Sequence, residues 1–523
     1  MTIKKTCFLL LLTLATSPVF AGGLLTNTNQ SVHFLRNPAR DASTEIDAVY
    51  TNPAGLSLLT DGFHLSLTNQ SVFQTREITS TFAPFAANNN GSPTKTYKGE
   101  ASPPVIPSFQ LAYKKDRFVI SAGFAISGGG GKATFNHGLA SFEAPISMIP
   151  VSLTAKGVNT TAYSVDEFME GRQFIFGFQL NGTYKINDMF SGALGMRLNI
   201  VNNAYQGHLR SIQINPVHPT LNPTGATISA NTFFSNAATA AQGASNSLAP
   251  IIAAGYGSST MAQLVSAGVL TSAQVTQLST GLGQNVSSLQ ASQVQGAYNT
   301  AAATYTASAK ATADKELDCT QTGWGVTPII GLNYHYAGLN IGAKYEFITK
   351  LNIQNNTIVD DTGLFADGVN TPSDIPAYFA VGAEYQLCKK WKVSGGYHHF
   401  FDSDAKMAND KQKFINGGVN EFLFGSEYQI SDMFLVSAGG QITRTGVTDN
   451  YQSDMSFSLS SYSVGFGGAI NVSPKMRLNL AYFFTNYNKW TKTSSNYNGT
   501  NLAGTDVFYR TNKVFGIGLD YKF

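Results

Sequence analysis

From Lys513 to Phe523 the chain alternates without a break. Phe515, Ile517, Leu519, Tyr521 and Phe523 fall on one face, and Val514, Gly516, Gly518, Asp520 and Lys522 on the other. A period of two belongs to a β-strand, and such different faces mean that the strand meets different media on its two sides. One strand of this kind would also suit a soluble sandwich. The apolar face is dense in rings and ends on Phe523, which fits the closing strand of an outer-membrane barrel. Recurrence along the chain decides in favour of the barrel.

The recurring unit is an aromatic, a few turn residues and a second large apolar residue. It occurs at Tyr113–Phe118, Tyr184–Phe190, Tyr336–Leu339, Tyr385–Trp391 and Tyr428–Phe434, with a variant at Ile470–Met476. These read as tight hairpins with rings at their shoulders, as short periplasmic turns inside an aromatic girdle require. Longer polar connections lie between them. Strands are predicted over 62–80, 105–113, 117–135, 172–185, 190–209, 323–336, 339–353, 375–387, 391–403, 419–429, 434–446, 456–471, 476–490 and 508–523. The fold expected is all-β: an antiparallel transmembrane barrel of about fourteen strands, an even number within the known range.

Parity then assigns faces. Phe174, Phe176, Phe178, Leu180 and Tyr184 turn to lipid, as do Leu194, Met196, Leu198 and Ile200. Arg197, Lys344, Glu346, Glu384, Lys392, Glu427, Arg477 and Asp520 turn inward. A charge facing the lipid midplane costs about 2–4 kcal/mol, so a wet or paired interior is implied.

Charged residues make up 12 % of the chain, half the usual share in soluble proteins, yet no run of apolar residues is long enough for a membrane helix. A barrel reconciles the two, because lipid-facing and lumen-facing residues alternate. The net charge of +3 points to no nucleic acid. Residues 1–21 have the form of a secretory signal, with Lys4 and Lys5, an apolar core from Phe8 to Ala15, and a cleavage site at Val19-Phe20-Ala21. After cleavage Cys319 and Cys388 remain. The strand order puts them at opposite ends of a belt about 25 Å tall, so both should be free thiols.

Two parts depart from a plain barrel. Residues 22–61 precede the first strand and show turn signals in place of alternation. Residues 210–320 form an insertion rich in Ala, Ser, Gln and Thr, with helical signals at 272–278 and from Ser287 to Leu317. Leu264, Leu270, Val275 and Leu278 give the insertion something to bury, and a folded extracellular element is expected.

No enzyme is indicated. Gly128 to Gly131 with Lys132 lack a phosphate loop's spacing, since Ile126 and Ala133 stand where Gly and Ser or Thr belong. The four glycines, inside the third strand, are either a flexible stretch near a loop or a deliberate distortion of the wall. His398 and His399 have no ligand set of metal-site spacing and read as girdle or loop residues. No metal or cofactor is implied.

The most specific motif runs from Arg36 to Ser57. Asn52-Pro53 breaks secondary structure, and Gly55 permits a tight turn before the first strand. This stretch resembles the plug segment of the FadL/TodX family of outer-membrane transporters for long-chain fatty acids and other hydrophobic compounds. There an Asn-Pro-Ala turn closes an N-terminal plug, matching Asn52, Pro53 and Ala54. Here Arg36-Asn37-Pro38-Ala39 carries the tripeptide a second time. Lys344-x-Glu346 is similar to a basic-x-Glu element of the family's seventh strand, and Ile375-Pro376 to the proline that opens the eighth.

The resemblance implies a monomeric diffusion transporter in the bacterial outer membrane, with hydrophobic small molecules and membrane lipid as its partners. Residues 22–61 would be the plug and 62–523 the barrel. Leu264, Leu270, Val275 and Leu278 would capture ligand on the long loop. Arg197, Lys344, Glu346 and Glu384 are the inward polar candidates. Gly128, Gly129, Gly130 and Gly131 occupy the place of the family's lateral portal. The alternatives from residues alone are an aqueous porin for small polar solutes, suggested by the inward charges, and a surface adhesin using the long insertion.

Overall fold

The computed structural model describes residues 24–523, so the signal reading of residues 1–21 lies outside it. Fourteen antiparallel strands close on themselves. In chain order they are β1 (Gly62–Phe82), β2 (two pieces, Thr94–Ala101 and Ile106–Lys115), β3 (Phe118–Phe135), β4 (Tyr163–Lys185) and β5 (Phe190–Ile214). There follow β6 (Lys315–Tyr336), β7 (two pieces, Leu339–Glu346 and Asn352–Asp360), β8 (Tyr378–Cys388), β9 (Trp391–Phe400) and β10 (Val419–Gln429). The last are β11 (Phe434–Arg444), β12 (Ser461–Ser473), β13 (Met476–Tyr487) and β14 (Gly504–Lys522). Closure is made by β14 on β1, in register from His64↔Lys522 to Phe82↔Gly504. A barrel leaves no open edge, which is what lets strands cross hydrocarbon.

The predicted faces hold. Leu194 is 71 % exposed, Leu332 64 % and Phe515 53 %, whereas Arg197, Lys344 and Glu346 are buried. The short-turn end carries the ring girdle, with Phe63 on Tyr113 at 4.4 Å and Phe118 on Tyr184 at 4.9 Å between centroids. This belt makes the protein a membrane-spanning barrel of the outer-membrane type. No helix among the described residues is long and apolar enough to cross a membrane. Cys319 is buried at the loop end, Cys388 is exposed at the turn end, and neither is bonded.

Several strands run further than their apolar pattern. β4 begins at Tyr163, not 172, and β6 at Lys315, not 323. Their outer parts pair polar residues, as in His208↔Glu316 and Asp166↔Arg210. Above the belt both faces meet water or loop, so the chain needs no alternation there and gives no signal of it.

The insertion is folded. α4 (Ala230–Ala253) packs on α7 (Ala291–Thr312), and α5 (Met261–Ser266) and α6 (Ser272–Leu282) complete the unit. Capping boxes start both short helices, at Thr260 with Gln263 and at Thr271 with Gln274. The helix expected to reach Leu317 stops at Thr312, because the chain must enter β6. Leu264, Leu270, Val275 and Leu278 lie 1 %, 8 %, 6 % and 8 % exposed in this unit's own core. That corrects their assignment to ligand capture: drawing one out would forfeit about 1.5–3 kcal/mol of burial. Between residues 210 and 320 the exposed large apolar side chains are Val217 and Tyr256, which make no apolar groove.

Residues 24–61 pass through the inside of the barrel. α1 (Val32–Arg36) and α2 (Ala48–Thr51) are single turns, and each ends on an Asn-Pro-Ala. Asn37 has φ −154° and ψ 99°, and Asn52 has φ −158° and ψ 97°. Each carboxamide oxygen accepts the amide of the alanine two residues on, Ala39 or Ala54. The doubled tripeptide is thus a doubled structural unit, which a single match to the family motif does not reveal.

Inward glycines of the wall seat both copies. A Cβ on Gly425 would lie 1.8 Å from Asn37 Oδ1, and one on Gly342 would lie 2.6 Å from Asn52 Nδ2 and 2.2 Å from the Asp41 carbonyl. Gly342→Val should therefore leave the barrel closed while unseating the inner segment. Trypsin should then cut a heat-modifiable, folded barrel after Arg36 or Arg40, which are now 0 % and 1 % exposed. Continued resistance would mean that the segment is held without this seat.

Candidate functional site

Charge holds the inner segment. Arg40 forks onto Asp47 at 2.7 and 2.8 Å and reaches Glu45 at 2.6 Å. Arg36 donates to Glu427 of β10, which also receives Lys392 of β9 at 3.0 Å. Beside them Glu384 pairs with the same lysine at 2.9 Å. On the adjoining strands Arg197 of β5 holds Glu346 of β7 through two bonds of 2.7 and 2.8 Å, and Lys344 adds a third of 2.7 Å. Both cations lie over the Tyr50 ring, and Lys344 donates to the Tyr50 carbonyl at 2.8 Å. Arg197 and Lys344 therefore hold the segment and Glu346 holds them, while Glu384 is taken up by Lys392 of the wall, so all four are already engaged.

His398 is a correction. It does not belong to a girdle or loop: it points inward, 2 % exposed, between Asp41 of the inner segment at 2.8 Å and Glu421 of β10 at 2.9 Å. A carboxylate oxygen at each ring nitrogen calls for a proton on both. No sequence spacing links residue 41 to residues 398 and 421, so nothing short of the fold could have found this bridge.

Asn52, Pro53, Ala54 and Gly55 come together against β4, β5 and β6. Asn52 Nδ2 donates to the Leu332 carbonyl at 2.9 Å, Thr183 Oγ1 to the Pro53 carbonyl at 2.8 Å, and Ser191 Oγ to the Ala54 carbonyl at 2.8 Å. Gly55 is needed for approach rather than for backbone angle, since a Cβ there would sit 2.1 Å from the Ser43 carbonyl oxygen.

The glycine run distorts the wall. Pairing of β3 with β4 shifts register at Ile126/Gly128 and again at Gly128/Gly131. Gly129 and Gly131 have φ of 96° and 67°, open chiefly to glycine. On its other side β3 is paired with β2 up to Phe109↔Phe124 and again from Glu100↔Thr134, with no ladder between. Gly130 lies in this stretch with its three fellows.

Behind the interruption runs the start of the inner segment. The Asn27 amide donates to the Ser127 carbonyl, Gln30 Nε2 to the Ile126 carbonyl, and Ser108 Oγ to the Gln30 carbonyl. A Cβ on Gly128 would meet the Leu25 carbonyl oxygen at 2.3 Å. Residues Thr26 to Gln30 are all polar and at most 6 % exposed. Among the described residues Thr26 Oγ1, Asn27 Oδ1, Thr28 Oγ1 and Asn29 Oδ1 have no hydrogen-bond partner. A crevice bordered by Tyr50, Arg197, Gln179, Ser127, Phe109 and Phe124 lies just below.

A second constellation, in the upper lumen, escaped the sequence reading. Arg76 of β1 and Arg510 of β14 are direct cross-strand partners, both at inward parity. Arg510 is 2 % exposed and lies 5.2 Å from the Tyr487 ring, and among the described residues none of its guanidinium nitrogens has a hydrogen-bond partner. Arg76 leaves Nε and Nη2 unpaired and lies 4.9 Å from the Phe457 ring. Lys411, 6 % exposed, comes in from the loop between β9 and β10 and sits 4.3 Å from the Tyr451 ring. Next to them is an apolar cluster that includes Ile78, Tyr205, Leu317, Phe365, Phe457 and Phe508. Like charges opposed on a ladder are unfavourable, and buried ones more so. The arrangement suits an anion with a hydrocarbon body. Inward parity of Arg76 and Arg510 was available in the sequence, but their pairing needed the closure register.

No family model matches the chain, and no curated protein matches it in sequence. Solved structures do. A crystal structure of a Pseudomonas aeruginosa FadL homologue is similar at TM-score 0.56 and 11 % identity, over 97 % of this chain and 100 % of that one. The fold is that of the FadL homologue. The deltaS2S3 mutant of the TodX monoaromatic hydrocarbon channel matches at TM-score 0.50 and 14 % identity, over 96 % of this chain and 100 % of the other. Within this FadL-like fold the three cations mark the upper lumen and the glycine kink marks the wall.

Burial beside Lys492 and Arg76 pushes the Lys411 ammonium down to about 7. It is charged below that pH and neutral above it, so an anion is held better on the acid side. A long-chain carboxylate offered as a probe anion should bind about tenfold more weakly at about pH 8.5 than at about pH 6, the worth of one charged hydrogen bond. Titrating affinity by intrinsic fluorescence checks this: Lys411→Met should bind with a flat profile, and an unchanged slope in that variant would place the titration elsewhere.

Proposed function

We propose that this chain is a member of the FadL/TodX family and takes up hydrophobic molecules with an anionic head, long-chain fatty acids above all, across the outer membrane. The observation that carries the reading is the facing pair of a half-buried Arg76 and a buried Arg510, both with unpaired guanidinium nitrogens beside an apolar cluster. A carboxylate between two guanidiniums relieves their repulsion and fills their empty donors. The acyl chain takes the place that Phe457 and Leu459 now hold in the cluster, and each methylene buried adds about 0.8 kcal/mol, which favours long chains.

The inner segment is the plug, and the kink at Gly128 to Gly131 is the lateral way out. Residues 26–30 are the movable stopper. Four unmet oxygens make them the weakest-held part of the segment, each lacking about 1–3 kcal/mol of hydrogen bonding. Their displacement would open the crevice at Tyr50 and Arg197 toward the gap between β2 and β3. Diffusion down a gradient into the membrane drives the transfer, and no energy source enters.

The test separates head group from chain. Arg510→Gln, alone and with Arg76→Gln, should weaken binding of a long-chain fatty acid about ten- to a hundredfold, the worth of one or two charged hydrogen bonds. Binding of the alcohol of equal chain length should stay within about twofold of its original value. Equal effects on acid and alcohol, or none on the acid, would sink the head-group reading. Steady conductance of the unmodified protein in a planar bilayer would favour the porin instead.

A further inference from the structure

The gap in the wall has two sides, and β3's glycines form one of them. The facing side is Ser102-Pro103-Pro104-Val105-Ile106-Pro107 of β2. Against β1 the register runs Gln70↔Ile106 and then Gln74↔Ala101, so four residues of β2 face three of β1, a β-bulge. The bulge lies at the height where pairing with β3 is missing. Val105 is 63 % exposed and Phe73 47 %, so this height still belongs to the apolar belt.

Proline is confined to sheet edges because it cannot donate to a ladder. A closed barrel offers no edge, yet three prolines occur here within five residues. An edge in hydrocarbon is costly mainly through its unpaired polar groups. Proline deletes the N–H outright. Two of the carbonyls and one amide that remain are met from β1, on the lipid side. The Val72 amide donates to the Pro103 carbonyl at 3.1 Å, and Ser71 Oγ to the Pro104 carbonyl at 2.7 Å. Asn69 Nδ2 reaches the same Pro104 oxygen at 3.4 Å, and Asn69 Oδ1 accepts the Ile106 amide at 3.1 Å. Asn69 and Ser71 share the outward parity of Leu67 and Phe73, where the belt would otherwise place apolar residues.

We infer that Pro103, Pro104 and Pro107, clasped by Asn69 and Ser71, are positioning residues that build a permanent lipid-facing edge on β2 and so keep the side exit from zipping shut. The inference rests on the transport reading for its purpose, and on the bulge and the clasp for its geometry. On this view the exit is never a seam that must be torn. It stands open in the wall and is stoppered from within by residues 26–30. The rim offered to a departing molecule is poor in N–H donors, which suits hydrocarbon and gives an ionised carboxylate little to hold.

The experiment restores the donors. In a Cys319→Ser, Cys388→Ser background, Pro103→Val, Pro104→Thr and Pro107→Val should let β2 continue its ladder with β3. Extending the pair Phe109↔Phe124 would bring Ile106 opposite Ser127. A disulfide between Ile106→Cys and Ser127→Cys should then form in the proline-free barrel and not in the native-proline one. Transfer of a fluorescent long-chain fatty acid into the bilayer of proteoliposomes should slow about tenfold, while its affinity for the protein in detergent is unchanged. If the proline-free barrel fails to fold, a short bis-maleimide joining the same two thiols in the native-proline barrel should impose the same block.

A zipped or stapled seam with transfer at the original rate would overturn the proposal. So would a disulfide that forms equally well with the prolines present. Loss of fatty-acid binding by the unaltered barrel would instead fall on the transport reading, and the thiol pair would still report on the edge.

Discussion

Glu427 is the point on which the closed interior depends. Its carboxylate, 3 % exposed, takes Arg36 and Arg40 from the inner segment and Lys392 from β9. Three cations on one carboxylate would repel each other in a dry interior. Asp47, Glu45 and Glu384 relieve them, each bonded to one of the same cations. Breaking such a cluster by removing one partner typically costs about 3–5 kcal/mol, because the charges left behind stay buried. The middle of the segment is thereby fixed to the wall. Residues 26–30, by contrast, carry no ion pair and leave four oxygens unmet among the described residues, so any movement would begin there. Stability and motion are divided along one short stretch of chain.

The mouth is held differently. The loop between β11 and β12 lays Phe457 and Leu459 into the apolar cluster and is tied down on three sides. Asp454 accepts the Ser141 amide at 2.7 Å, at the start of α3 (Ala140–Ala155), where Leu139 supplies no side-chain cap. Lys492 donates to the Gln452 carbonyl at 2.7 Å, and Trp490 Nε1 to Asp449 at 2.8 Å. These are few and single bonds, each worth about 1.5–3 kcal/mol net because one partner is charged. The top of the lumen is thus closed by a cover weaker than the charge-locked floor, an order suited to entry from outside.

What could be read in the sequence was whatever alternation imposes. Parity put Arg197, Lys344, Glu346 and Glu384 inside because a charge cannot face lipid, and the turn rings fixed the register of each hairpin. Parity says nothing about partners. It could not tell that Arg197 and Lys344 enclose Tyr50, or that Arg76 faces Arg510 across the strands that close the barrel. The extensions of β4, β5 and β6 were hidden because alternation is lost where both faces are wet. Leu264 and its neighbours were misjudged for another reason: apolar residues in an insertion show that something is buried there, without saying whether a ligand or the insertion's own helices do the covering. The glycines on inward faces were visible as an excess of Gly, and the seats for Asn37 and Asn52 gave that excess its purpose.

Top and side of the barrel differ in hydrogen-bonding character, and transport would follow from the difference. Arg76, Arg510 and Lys411 present donors and positive charge beside hydrocarbon, so an amphipath would be held there by its head. The rim at Pro103, Pro104 and Pro107 presents carbonyls already engaged and few N–H groups, so nothing there competes for a head group. A molecule that moves from the first environment to the second gives up charge-assisted hydrogen bonds and gains the membrane for its whole chain. At about 0.8 kcal/mol per buried methylene, a few additional methylenes in the bilayer offset one charged hydrogen bond of about 1.5–3 kcal/mol. Short-chain acids would remain bound or return, and long ones would pass. Chain length would then be selected by the balance between the two sites, without either of them measuring it.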